Sequence, residues 1–129
     1  MLLADDHRAI CENVTALLEF DFDVVGTVPN GQELLVEAEK LRPDVVVTDI
    51  SMPVLGGIEA ATQLHTSNST AKVVFLTIHD EPEFVHACLA AGALGYVAKR
   101  RLTTDLIPAI YEALAGHQFI SPVLNYTDE

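Results

Sequence analysis

Five short apolar runs punctuate the chain, at residues 2–4, 24–28, 45–48, 73–77 and 94–98. Valine, leucine and threonine dominate them, and none alternates with polar residues. Strands buried on both faces of a parallel sheet have this pattern. Amphipathic stretches fill the intervals. Ile10, Val14, Leu17 and Leu18 share one helix face, and Leu34, Leu35, Ala38 and Leu41 form another that stops at Arg42-Pro43. Ile58, Ala61 and Leu64 follow Gly56-Gly57; Phe84, Val85, Cys88 and Leu89 follow Pro82, which suits a first helical turn. Leu106, Ile107, Ile110 and Leu114 complete the series, with Thr103 and Thr104 as expected N-cap residues, Pro108 expected near the first turn and Gly116 as the stop.

A strand followed by a helix, five times over, predicts a parallel sheet with right-handed crossovers and helices on both faces. Ligands of such folds bind beyond the carboxyl ends of the strands, so the residues there carry the functional question. The first run ends in Asp5-Asp6, the third in Asp49 and the fourth in Thr77, while Lys99 follows the fifth.

The length of 129 residues suits one domain, and 50% hydrophobic residues exclude overall disorder. A net charge of −12 disfavours binding to nucleic acid by this chain itself. Two cysteines, Cys11 and Cys88, make neither a disulfide framework nor a zinc-ligand spacing and read as small hydrophobes on helix faces. No apolar run is long enough for a membrane span. The early acidic pair Asp5-Asp6 reads as the absence of a secretory leader, which makes the expected compartment the cytoplasm.

Three carboxylates brought to one rim repel one another. At about 4 Å and an effective dielectric near 20, each like-charge pair costs about 4 kcal/mol. A hard divalent cation with oxygen ligands offsets that cost, and Mg²⁺, which shares phosphate oxygens, suits the donor set. Lys99 adds a point charge that binds phosphoryl oxygen and Thr77 a hydroxyl donor. Together with a central carboxylate, these groups are equipped to form an aspartyl-phosphate.

The segments Leu2-Leu3-Ala4-Asp5-Asp6-His7, Asp49-Ile50-Ser51-Met52-Pro53-Val54-Leu55-Gly56-Gly57, Leu76-Thr77 and Ala90-Ala91-Gly92-Ala93-Leu94-Gly95-Tyr96-Val97-Ala98-Lys99 occur in this order, each at a strand end. Together they resemble the receiver domain of bacterial two-component response regulators, as far as about Pro122. Ala4-Asp5-Asp6-His7, Leu76-Thr77-Ile78-His79-Asp80 and Ile120-Ser121-Pro122 resemble the NarL/FixJ (LuxR-type) subfamily.

The resemblance implies a flavodoxin-like (βα)5 fold, doubly wound, with a five-stranded parallel sheet in the order 2-1-3-4-5. It implies a receiver over residues 1–118, and the segment 119–129 as a tail or the start of a linker to an output domain absent from this sequence. Asp49 is then the phosphoacceptor for a sensor histidine kinase. Asp5, Asp6, Asp49 and the backbone carbonyl of Ser51 hold Mg²⁺, Thr77 and Lys99 grip the phosphoryl oxygens, and Tyr96 is the aromatic switch. The expected chemistry is self-phosphorylation and self-dephosphorylation, not turnover of a free substrate. The expected output is a changed α4-β5-α5 surface that controls transcription through the absent DNA-binding domain. Formation of a homodimer is compatible with the resemblance, and no membrane partner is implied.

Two departures bear on switching: Ile78 stands where the family favours a small residue, and Arg100 where it often has proline. Simpler readings exist for single residues. Tyr96 fits plain strand packing, His7 a helix-start histidine and His79 an exposed loop histidine. Gly56 and Gly57 let the loop after Asp49 turn closely into a helix. Two other functions use related parts. A Mg²⁺-dependent aspartyl-phosphate phosphohydrolase would want an Asp-x-Asp pattern after the first strand and room for a cap. A flavodoxin-like binding module would want a Gly- or Ser/Thr-rich first turn. The sequence has Asp5-Asp6-His7 instead.

Overall fold

A computed structural model describes residues 1–67 and 69–122 of the chain. The elements alternate as β1 (Leu2–Ala4), α1 (Arg8–Leu18), β2 (Gly26–Val28), α2 (Gly31–Leu41), β3 (Val45–Thr48), α3 (Gly57–Thr66), β4 (Lys72–Thr77), α4 (Pro82–Ala90), β5 (Gly95–Ala98), α5 (Leu102–Leu114) and β6 (Phe119–Ile120). The strands form one sheet in the order β2-β1-β3-β4-β5-β6, and every neighbouring pair is parallel. This is the expected flavodoxin-like parallel architecture with one strand more than expected.

The apolar runs are continuous because both sheet faces are covered. In β3, Val45 and Val47 pack into the layer built with Val14 and Leu18 of α1 and Leu106 and Ile110 of α5. Val46, between them, joins the opposite layer with Leu34, Leu64 and Val85 of α2, α3 and α4. The same alternation splits β4, with Phe75 on the second face and Val74 and Leu76 on the first. Each face is apolar, so the period-2 signal vanishes from the sequence while remaining in the structure. Among the described residues no helix is long and apolar enough to cross a membrane.

The sixth strand corrects the expected count of five. Residues 119–120 lie in the segment expected to be a tail, and residues 123–129 of that segment lie outside the described residues. Phe119 donates its N–H to Leu94 O (2.8 Å), and Ser121 donates to Tyr96 O (2.9 Å), so the chain closes the open edge of β5. A two-residue strand has no period to read; its position comes from that vacant edge.

The start of α5 also differs. The helix begins at Leu102, directly after a single 3-10 turn over Lys99–Arg101, and Arg101 occupies the N-cap in place of Thr103 or Thr104. Thr104 Oγ1 instead donates to Arg101 O (3.2 Å). Pro108 consequently lies in the second turn of the helix, where a proline forgoes the bond to the carbonyl four residues back. The strand β2 is shorter than its apolar run, because Val24 and Val25 precede the paired residues.

A buried polar network ties the exit strand to the end of β5. Ser121 Oγ donates to Asp105 Oδ2 (2.7 Å) and accepts from Ala98 N–H (3.1 Å). Arg101 holds the Asp105 carboxylate with two bonds, of 2.9 and 3.2 Å. Burial opposes ionisation of Asp105, but hydrogen bonds from Arg101, Ser121 and Thr104 outweigh it and hold the carboxyl below its ordinary range.

Ser121→Ala strands the Ala98 N–H in a buried setting and is expected to lower the unfolding free energy by about 1–3 kcal/mol in urea titrations. Asp105→Asn should lower the urea midpoint at neutral pH. A carboxyl with a depressed folded value stabilises the fold above its unfolded value near about 4 and loses that contribution as pH falls through the folded value. The wild-type advantage over Asp105→Asn should therefore shrink below that pH.

Candidate functional site

The sheet order reverses direction of growth at β1, with β2 on one side and β3 on the other. That is the switch point where a crevice opens beyond the strand ends. The ladder continues one residue past β1 and β3: Asp5 N–H donates to Val28 O and Asp49 N–H to Ala4 O, both at 3.0 Å. Backbone pairing thus holds two carboxylates at the mouth of the crevice. Asp49 is only 5% exposed and Asp5 4%.

Lys99 follows β5 and reaches across the sheet end. Its Nζ lies 3.0 Å from Asp5 Oδ2 and 3.1 Å from Asp49 Oδ2. Burial works against its charge, but hydrogen bonds to Asp5 and Asp49 and their negative field outweigh that and raise its pKa above the ordinary lysine value. The other Asp49 oxygen, Oδ1, accepts the Ile50 N–H at 2.7 Å. His7 N–H donates to Asp5 Oδ1 (2.9 Å), and His7 Nδ1 lies 3.1 Å from Asp5 Oδ1 and from Asp6 Oδ1. One ligand atom each from Asp5, Asp6, His7 and Asp49 fits within 4.8 Å. Three carboxylates against one ammonium leave a local charge of −3 + 1 = −2, which a divalent cation matches. The donor set therefore fits a hard oxygen-ligated ion.

The loop after Asp49 is drawn tightly into α3. Gly57, the first helical residue, donates its N–H to Ile50 O at 2.9 Å, and a Cβ there would run into the Asp49 carbonyl oxygen. The expected backbone role of this glycine follows from that closeness. Gly56 occupies the N-cap of the same helix.

Thr77 ends β4, fully buried and in register with Ala98, the residue before Lys99. Its Oγ1 accepts the His79 N–H at 3.2 Å. Tyr96 is fully buried, and its hydroxyl donates to His79 O at 2.6 Å; burial raises the pKa of the phenol. Ser51 lines the open cleft beside Asp6, and its Oγ lies 2.9 Å from His79 Nε2.

His79 is thus partly buried and joined to Ser51, Thr77 and Tyr96, and its ring stacks on Phe84 of α4 with centroids 4.3 Å apart. The sequence reading of an exposed loop histidine missed this hub. Its signal was its place two residues beyond Thr77, with an aromatic residue in the following helix. Ile78 points to solvent. Cys88 is buried and its thiol pKa is pushed up to about 12, whereas Cys11 is partly buried with Sγ 3.5 Å from Asp5 O.

The response regulator receiver domain family matches residues 1–111. The chain is 39% identical over 125 residues to the response regulator GacA of Pseudomonas viridiflava, across 95% of this chain and 58% of that protein. It is 34% identical over 128 residues to the transcriptional regulatory protein DegU of Brevibacillus brevis, across 98% of this chain and 54% of that protein. A crystal structure of a LuxR-family two-component response regulator from Aurantimonas sp. SI85-9A1 aligns with a TM-score of 0.90 and 32% identity, covering 95% of this chain and 89% of that one. The chain spans little more than half the length of the curated relatives it matches.

Gly57→Ala forces the new methyl against the Asp49 carbonyl. It should destabilise the fold by about 1–3 kcal/mol and shift the backbone amide NMR signals of Asp49 and Ile50.

Proposed function

The chain belongs to the response regulator receiver domain family of two-component systems, and from that membership we propose that Asp49 is its phosphoacceptor. The observation that carries this reading is the buried Asp49 carboxylate held by backbone bonds, with the Lys99 ammonium on one oxygen and two further carboxylates beside it.

In the proposed reaction a sensor kinase offers a phosphohistidine. An Asp49 carboxylate oxygen attacks phosphorus, the P–N bond breaks with its electron pair going to the imidazole, and an acyl phosphate remains on Asp49. Lys99, already against Asp49, takes up the negative charge of the phosphoryl oxygens, and the Thr77 hydroxyl donates to them. Asp5, Asp6, Asp49 and the carbonyl of Ser51 are the proposed holders of Mg²⁺. When bound, that ion supplies charge neutralisation for the incoming phosphoryl group.

Phosphorylation adds about −1.5 to −2 charge and strong acceptors at this point. Thr77 bonds through His79 to Tyr96, and the His79 ring rests on α4, which supports Tyr96 as the switch and the α4-β5-α5 face as the surface that changes. The receiver body, expected over residues 1–118, is proposed to extend through β6 to Ser121, which the sheet and the Asp105 network hold, with a connection to an output domain proposed after it. Control of transcription is proposed from the names of relatives such as DegU, and a cytoplasmic setting from the need to meet both kinase and DNA. The phosphohydrolase and flavodoxin-like binding readings are not favoured by the family match.

Treatment with acetyl phosphate and Mg²⁺ should add one phosphoryl mass that maps to Asp49 and disappears in Asp49→Asn; an equal gain in that variant would overturn the assignment. Lys99→Ala should still bind Mg²⁺ but lose the phosphorylation-dependent change in hydrogen exchange across α4, β5 and α5.

A further inference from the structure

We infer that His7 is a nitrogen ligand to the ion in this pocket and biases the site from Mg²⁺ toward first-row transition metals; the inference rests on the metal-site reading proposed above. His7 occupies the N-cap of α1, yet its side chain makes no capping bond to the helix. The ring is 66% exposed, but Nδ1 turns inward to Asp5 Oδ1 and Asp6 Oδ1, at 3.1 Å from each. Neighbouring ligand atoms on an octahedral ion bonded at about 2.1 Å lie about 3.0 Å apart, and opposite ones about 4.2 Å apart. The two 3.1 Å separations match the first value, and a carboxylate oxygen of Asp49 lies within 4.8 Å of the same atoms.

The donor chemistry gives the direction of the bias. Magnesium is satisfied by carboxylates, carbonyl and water and gains little from an imidazole. Nickel, copper and zinc ions accept imidazole nitrogen readily, and manganese, the weakest-binding of the first-row series, still accepts it more readily than magnesium does. A set of three carboxylates and one imidazole therefore favours those ions over Mg²⁺. An imidazolium bridging Asp5 and Asp6 would produce similar distances without a metal bond, so the test is made at about pH 8, where an ordinary imidazole is neutral.

The intact chain is titrated separately with Mn²⁺ and Mg²⁺, and pulsed EPR of bound Mn²⁺ is examined for coupling to an imidazole nitrogen. The expected results are tighter binding of Mn²⁺ than of Mg²⁺ and a nitrogen coupling in the wild type. In His7→Ala that coupling is absent, Mn²⁺ binding is about ten-fold weaker and Mg²⁺ binding is unchanged within error. Bound Mn²⁺ without nitrogen coupling would overturn the role of His7, as would equal weakening of both ions in His7→Ala. Failure of the wild type to bind either ion, or binding indifferent to Asp6→Asn, would overturn the metal-site reading itself and the inference with it.

Discussion

One ammonium held between two buried carboxylates is the interaction on which the site depends. Lys99 meets Asp5 and Asp49 at 3.0 and 3.1 Å where the ends of β1, β3 and β5 converge. Without it, two carboxylates exposed to solvent by only a few per cent would face each other uncompensated. The lysine offsets part of that repulsion and leaves the pocket negative by two charges. That remainder is the charge that the proposed divalent ion would balance.

The scaffold makes such an arrangement sustainable. The carboxylates are held by main-chain bonds that prolong the sheet past its formal ends, so their convergence does not depend on flexible side chains. Gly57 brings α3 close behind Asp49, and the Ser121–Asp105 network anchors Ala98, one residue before Lys99. The far side of the pocket is organised through His79. Its amide bonds to Thr77, its carbonyl accepts from Tyr96, and its ring touches Ser51 and Phe84. The pocket is therefore tied to its surroundings on two sides, through Lys99 at the start of the turn that leads into α5 and through His79 to α4.

Much of this was legible in the residues. The apolar runs mark β1, β3, β4 and β5 to within a residue or so, because strands covered on both faces need apolar side chains at every position. Asp5, Asp6, Asp49, Thr77 and Lys99 stand out because the parallel-sheet rule sends ligands to the strand ends. What escaped is physical in kind. Residues 119–120 have no strand pattern of their own, and the start of α5 was misplaced because the 3-10 turn over Lys99–Arg101 delivers the chain into helix without a side-chain cap. His79 looked unremarkable because its importance lies in contacts to residues far away in the sequence.

Local sequence alone determined the alternation of strand and helix, the class of sheet and the chemical character of the groups at its rim, since these follow from periodicity and from residue type at element ends. Tertiary structure decided which groups touch: Lys99 between Asp5 and Asp49, His7 turned onto two carboxylates, Ser121 under Ala98 and the edge that β6 closes. The reason is distance along the chain. Periodicity reports on neighbours within a turn or a pleat, whereas a contact spanning fifty residues exists only once the sheet order has brought the strand ends together.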